Sequence, residues 1–350
     1  MIQLFNHIKR KVFTIELLIP RLIILFTLIL SAPRAGIAQE TNWDNKLNSI
    51  LNSGIHDSLI AQQLGDVAYE LTIQRKLTDA DKFIASQKKA ALQSGNKSQI
   101  AYSIYTSTVR FYNLSSSDTL LQKLQYALTL SDQGSNLLIR IKIYRLLAQF
   151  YESNSRIEEA KNIINSALKY AEIYKDKNEI AKVNLIFGIV LNRLDDHKGA
   201  LDKYYSAIEY LEKSNEYRSL AVAYNSVGNI LFKIKDYEKA KLYYNKNLIH
   251  CQKNYSPYLP TAYLGLATLH YTHQNLDSAL WYYDKSDSVM QIYSDHTRLH
   301  VVYTNKATIY QQLNEMDSAD VYHRKTIALA EKMKKLGISE FYMRTIPLSY

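Results

Sequence analysis

Cysteine is nearly missing: Cys251 is the only one in 350 residues. No intramolecular disulfide or paired-cysteine metal site can form, and the fold must be held by packing alone. Glycine and proline are also scarce, at 10 and 5. That argues against an all-β protein with many tight turns and against a long flexible linker. Neither charge sign runs in a block. Lys and Arg alternate with Asp and Glu along most segments, as in Tyr237-Glu238-Lys239-Ala240-Lys241, so the basic stripe of a nucleic-acid binder is absent and the charges read as solvated faces. No phosphate-cradling glycine loop and no His-Glu-x-x-His motif occurs. What the chain does have is apolar material, 47% of residues against 22% charged, which is ample for a large core. It also has 29 tyrosines to 9 phenylalanines, rings that pack their bodies between elements while the hydroxyl reaches a wet surface.

The first 38 residues read as an export signal. Lys9, Arg10 and Lys11 form a basic start, Leu22 to Leu30 is an apolar run, and Gly36-Ile37-Ala38 supplies the small-x-small pattern before Gln39. Cleavage is expected after Ala38, giving a bacterial periplasmic or secreted protein rather than a lipoprotein. A membrane anchor would need about 20 apolar residues, and Glu16, Pro20 and Arg21 interrupt the stretch. Removing residues 1–38 takes away five cations and one anion, lowering the formal charge from +10 to +6.

From about Leu64 to Met333 a two-helix unit recurs seven times. A marker position opens the second helix at Ala80, Leu120, Ala160, Ala200, Ala240, Ala279 and Ala319, small at every unit except Leu120, with a 40-residue period and one 39-residue step. Twelve residues earlier stand Ala68, Thr108, Ala148, Gly188, Gly228, Ala267 and Ala307, so two helices can approach closely at each crossing. Four residues after each marker come Ile84, Leu124, Ile164, Tyr204, Tyr244, Tyr283 and His323, a helical spacing. Polar turns recur in step. Within units they are Asn154-Ser155-Arg156, Leu194-Asp195-Asp196, Lys235-Asp236, Gln274-Asn275 and Asn314-Glu315. Glu158, Glu238, Asp277 and Asp317 then put negative charge in the first turn of the following helix, where the dipole favours it. The turns between units are equally short, so neighbouring helices should run antiparallel.

On these residues the chain resembles the tetratricopeptide repeat proteins. The best unit runs Asn184-Leu185-Ile186-Phe187-Gly188 through Leu191, then Ala200, Tyr204 and Ala207. The next follows with Val227-Gly228, Leu231, Ala240 and Tyr244. It departs at Asn247, and so do Gln87, Ser286 and Thr326 at the same place, where the family prefers alanine. The period exceeds the family's usual 34, and the extra length is expected in the second helix. HEAT-like repeats of similar period are the alternative. The resemblance implies an all-α fold: a right-handed superhelical solenoid of antiparallel helix pairs, about seven repeats, over residues 57–336. An N-terminal capping helix is expected within 39–56, packing through Trp43, Leu47 and Leu51. Residues 337–350 would be a tail or incomplete cap limited by Pro347, leaving the last unit covered by a partner or by more chain of a longer protein.

Chemistry has little support in the sequence. His270 and His273 stand three apart without a third metal ligand and read as packing or turn residues. Ser86-Gln87-Lys88-Lys89 contains Ser-x-x-Lys without its companion motifs. Asp195-Asp196 sits at a turn filled by unrelated residues in other units. No cofactor, metal or nucleic acid is expected, and an enzyme would require convergent titratable groups that the sequence does not announce. The resemblance implies instead that first helices line a concave surface suited to a protein or peptide. Its groove-facing positions would include Tyr105, Tyr112, Arg145, Gln149, Lys182, Asn192, Arg193, Asn225, Asn229, Lys233, Thr268 and Tyr271. Arg145, Lys182, Arg193 and Lys233, interleaved with Asn192, Asn225 and Asn229, are placed to hold carboxylates or extended backbone. The expected function is a non-catalytic binding scaffold of the periplasm or cell envelope. Membrane contact would come only through the uncleaved signal segment or a partner, and the oligomeric state is open. The alternative is the sensory ectodomain of a truncated or fragmentary signalling protein with a histidine kinase or DNA-binding output.

Overall fold

The computed structural model describes residues 42–74, 76–112, 117–254, 256–292 and 298–335; the expected signal segment and the 337–350 tail lie outside them. The chain divides into two compact units, the first ending at Gly54 and the second beginning at Ile55. Among the described residues there are helices and no strand.

The first unit contains α1 (Trp43–Leu51), capped by Asn42, whose side chain accepts from the Asn45 N–H at 3.0 Å. This helix lies within the 39–56 stretch where one was expected. Its stripe differs from the expectation. Ile50 is the buried residue and Leu51 is 42% exposed, because 100° per residue turns Leu51 away from the face that Trp43, Leu47 and Ile50 share.

The described residues of the second unit form fourteen helices in seven pairs: α2 (Asp57–Ile73) with α3 (Leu77–Ser94), α4 (Lys97–Phe111) with α5 (Ser117–Gln133), and α6 (Leu137–Ser153) with α7 (Ile157–Tyr174). Then come α8 (Lys177–Arg193) with α9 (His197–Leu211), α10 (Tyr217–Lys233) with α11 (Tyr237–Asn254), α12 (Leu259–Thr272) with α13 (Leu276–Ile292), and α14 (Leu299–Gln312) with α15 (Met316–Lys335). A 3-10 turn, Ser256–Tyr258, precedes α12. The extra length of the repeat is not confined to second helices: α8 has 17 residues against 15 in α9, whereas α15 has 20 against 14 in α14.

In the last five pairs the tight turn follows from one backbone device. Ser155, Asp195, Lys235, Gln274 and Asn314 all adopt a left-handed conformation, with φ between 58° and 65°, and they recur in the same 40-and-39 step as the alanines. The next N–H then reaches back five residues to a helix carbonyl: Arg156 to Tyr151, Asp196 to Leu191, Asp236 to Leu231, Asn275 to His270 and Glu315 to Tyr310. This closes the helix and reverses the chain. Asn96, Asn136 and Asp176 cap the starts of α4, α6 and α8 through their side chains.

All seven marker residues on the second helices, and the seven small residues on the first helices, are buried. Where the small residue is glycine, a ring fills the space. A Cβ on Gly188 would lie 2.5 Å from Tyr204, and one on Gly228 would lie 2.6 Å from Tyr244. Tyr244 also covers Gly265 of the next pair, where a Cβ would lie 2.5 Å away, so one ring ties two units. The central core runs through successive pairs from Ile141 on α6 to Leu266 on α12, and each pair buries its apolar face only against the next.

The departures from alanine are buried polar groups, two of them partnered by the following first helix and one by the first helix of its own pair. Gln87 accepts from Thr106 Oγ1 at 2.5 Å, Asn247 donates to Thr261 Oγ1 at 3.4 Å, and Ser286 donates to the Pro260 carbonyl at 3.1 Å. Cys251 donates to Asn247 Oδ1 at 3.2 Å and is fully buried, which pushes its thiol up to about 12.

Candidate functional site

First helices stand next to one another along the stack, and their exposed edges form one row. On α2, Asp66 accepts from Tyr102 of α4 at 2.6 Å, and Gln62 accepts from Gln99 of α4 at 3.0 Å. Burial, then the adjacent Asp66 carboxylate, raises Tyr102 far above the usual tyrosine range. Tyr105 stacks on Tyr102 and on Tyr69, with centroids 5.9 and 6.0 Å apart. Lys142 of α6 lies over the Tyr102 ring at 4.8 Å and 3.9 Å from Asp66; burial pulls its pKa below the ordinary lysine value.

The row continues as ion pairs. Arg145 of α6 lies 2.8 Å from Glu179 of α8, with the two side chains 12% and 8% exposed. Lys182 bonds Glu179 at 3.2 Å and Glu216, the residue preceding α10, at 2.5 Å. Burial alone would raise the Glu179 pKa, but Arg145 and Lys182 hold it below the ordinary glutamate value. Towards the C-terminal ends of the first helices, Arg193 meets Glu152 at 3.1 Å and Lys233 meets Asp195 at 2.7 Å.

The four cations singled out from the sequence are therefore each engaged by a carboxylate of a neighbouring pair. Tyr105 is buried, whereas Gln149 is exposed. Tyr112 exchanges a hydrogen bond with Ser153 at 2.9 Å, Tyr271 accepts from Gln312 at 2.9 Å, and Asn192 carries a buried Oδ1 with no partner. Asn225, Asn229 and Thr268 are brought together. They line a cavity of about 370 Å³ between α10, α12 and α14, together with Phe232, Tyr244, Leu264, Gly265, Val301 and Arg298. Tyr244 donates to Asn229 Oδ1 at 3.0 Å, fixing that amide. Arg298, just before α14, is exposed, with its guanidinium 6.0 Å from the Tyr258 ring.

Sequence reasoning missed Asp66, Tyr102, Lys142, Glu179, Glu216 and Arg298. Glu179 and Arg145 are 34 positions apart, slightly less than one repeat, so searching for opposite charge near one period was the available signal. The bland readings of the other motifs fit the geometry. His270 stacks on Tyr282 at 5.2 Å, and His273 Nδ1 meets its own helix carbonyl at Leu269. Asp195 occupies the left-handed turn position, and Asp196 caps α9 through the Gly199 N–H at 2.8 Å. Ser86 lies within α3. Among the described residues, no group of three or more His, Cys, Asp or Glu is placed to hold a metal, and no helix is long and apolar enough to cross a membrane.

Comparison with known proteins agrees with this geometry. The tetratricopeptide repeat model matches residues 221–246, the stretch holding Gly228, Ala240 and Tyr244. A TPR repeat-containing protein of Methanocaldococcus jannaschii is 25% identical over 209 residues, 55% of this chain; the chain spans about a third of that relative's length (32%). The apo form of RapI superposes with a TM-score of 0.60 at 14% identity, covering 79% of this chain and 99% of that one. The Rap conjugation gene regulator of plasmid pLS20, solved in complex with the Phr* peptide, gives 0.52 at 16% identity over 78% and 75%. The fold is a TPR-like solenoid of helix pairs.

Proposed function

We propose that this chain is a non-catalytic scaffold of the periplasm or cell envelope that binds a protein or peptide along the row of first helices. The observation that carries the reading is the cavity at Asn225, Asn229 and Thr268, three positions expected from the sequence to face a groove and gathered there from two successive pairs. A structurally similar solenoid in complex with a peptide supports it. Export rests on the basic start and apolar run before Gln39.

Affinity selection from a random peptide library with residues 39–350 tests the binding. Selected peptides should lose about fivefold or more in affinity, roughly 1 kcal/mol, to the pair Asn229→Ala with Lys233→Ala. The exposed Lys233–Asp195 pair adds little to stability, whereas the buried Tyr244 hydroxyl loses its Asn229 acceptor and the melting temperature should fall, so affinities are compared below the variant's melting range. Unchanged affinity, or no selected peptide at all, overturns the binding half. Recovery of the product only with residues 1–38 still attached and inside the cell overturns export.

A further inference from the structure

The second helices of the last three pairs carry a surface pattern that those of the first four lack. Second helices pack on their own partner and on neighbouring first helices rather than closely on one another, so one side of each is left to solvent. On that side, two residues after each marker alanine, stand Leu242, Trp281 and Val321, exposed by 54%, 53% and 50%. The same place in the first four pairs holds Lys82, Gln122, Asn162 and Asp202. One turn before the apolar row lie Glu238, Asp277 and Asp317, and one turn after it lie Lys246, Lys285 and Lys325, all six exposed. Acid, apolar residue and lysine thus follow at four-residue steps along one side of α11, α13 and α15.

The ion pairs made by these helices use other residues: Lys239 with Asp236, Asp284 with Lys306 and Arg324 with Asp320. The three lysines of the row lean on rings instead. Lys285 lies over Trp281 at 5.2 Å, Lys246 over Tyr243 at 5.3 Å and Lys325 over Tyr322 at 4.7 Å. Eight residues separate acid from lysine on one helix, about 12 Å of rise, too far for the direct pairing that three- or four-residue spacing allows. A lipid surface or a nucleic acid, negative throughout, would meet the acid row with repulsion. A striped surface calls for a partner striped in the opposite order.

We propose that this ridge docks a second copy of the chain, with the three apolar side chains at the centre and the two charged rows exchanged at the edges. A two-fold axis lying in the contact plane and running along the stack sets each second helix antiparallel to its counterpart. The order of the rows is then reversed across the contact. Asp277 faces the partner's Lys285, Glu238 the partner's Lys246 and Asp317 the partner's Lys325, while Leu242, Trp281 and Val321 each meet their own counterparts. The other in-plane axis, along the helices, would set acid against acid and lysine against lysine, so charge fixes the orientation and the apolar row supplies the buried area. The first helices take no part in the contact, so the inference stands apart from the groove reading.

Sedimentation velocity of the whole chain over about 1–100 μM should show a reversible equilibrium between monomer and dimer. Trp281→Ala should leave the chain monomeric. Asp277→Lys alone and Lys285→Glu alone should each weaken association about tenfold or more, because a two-fold contact sets the like charges face to face twice. Asp277→Lys combined with Lys285→Glu exchanges the charges and should restore association to within about threefold of the parent. The three residues are exposed, so melting temperatures near the parent's certify the variant folds, and peptides selected on the groove should bind every variant as they bind the parent. A parent that is monomeric throughout the range overturns the inference. So does a dimer indifferent to Trp281→Ala, or a double reversal that associates no more tightly than the single ones. Flotation of a monomeric chain with phosphatidylglycerol vesicles, lost in Trp281→Ala, would assign the ridge to a lipid surface and overturn it as well.

Discussion

Replacing Arg145 with methionine isolates the ion pair at the centre of the row. Glu179 is 8% exposed and keeps only Lys182, at 3.2 Å, once the guanidinium at 2.8 Å is gone. Removing one partner of a buried pair costs about 3–5 kcal/mol, and the surviving lysine offsets part of that, so a loss of about 2–3 kcal/mol is expected at pH 7. Lys239→Met is the matched control. Its pair with Asp236 is screened by solvent, so its loss should leave the urea midpoint nearly unchanged.

The pH dependence carries the sign. Arg145 and Lys182 lower the Glu179 pKa in the folded chain against the upward push of burial, so the stability it contributes is complete above its unfolded value and is lost as pH falls through the folded one. In Arg145→Met, burial pushes Glu179 upwards instead, and protonation relieves the stranded charge. The gap between variant and parent should therefore narrow between pH 7 and about pH 4. Urea unfolding followed by far-UV circular dichroism reads the difference, with hydrogen exchange on α6 and α8 to catch local opening, since a stack need not unfold in one step. Adding Glu179→Gln to Arg145→Met should recover more than half of the loss. A variant as stable as the parent at pH 7, or a gap that persists at pH 4, refutes the assignment of a buried, charge-dependent contact.

Two further changes probe the stack. Gly228→Ala places a Cβ 2.6 Å from a Tyr244 ring that is anchored by Asn229 and backed by Gly265. The overpacking cost of about 1–3 kcal/mol exceeds the helix-propensity gain of about 1 kcal/mol, so the urea midpoint should fall; a rise would show that the ring has room to move. Lys235→Gly relieves a left-handed backbone at φ 65° and should add about 0.5–1 kcal/mol, whereas Lys235→Val should destabilise. Thermal melts showing the opposite order would contradict the turn assignment.

The helix pairs were legible because burial in a stack is periodic: Ala160, Ala200 and Ala240 must be small at every crossing, and the turns at Ser155, Asp195 and Lys235 must reverse the chain at the same phase. The departures at Gln87, Asn247 and Ser286 were visible as exceptions, but their partners were not, since Thr106, Thr261 and Pro260 are chosen by side-chain geometry rather than by spacing. The same limit hid the pairing of the groove cations. Arg145 and Lys182 look identical in sequence whether they await a ligand or hold Glu179, and Arg298 looks like any turn residue.

The order of amino acids alone set the number of helix pairs, their period and the small residues at each crossing, because every one of these follows from local spacing repeated along the chain. Only the tertiary structure decided which charges cancel, which tyrosines are buried and which side chains of successive pairs gather at one cavity. Those outcomes depend on atoms from two or three different pairs meeting within a few ångströms, and Coulomb interactions and hydrogen bonds are decided at that distance.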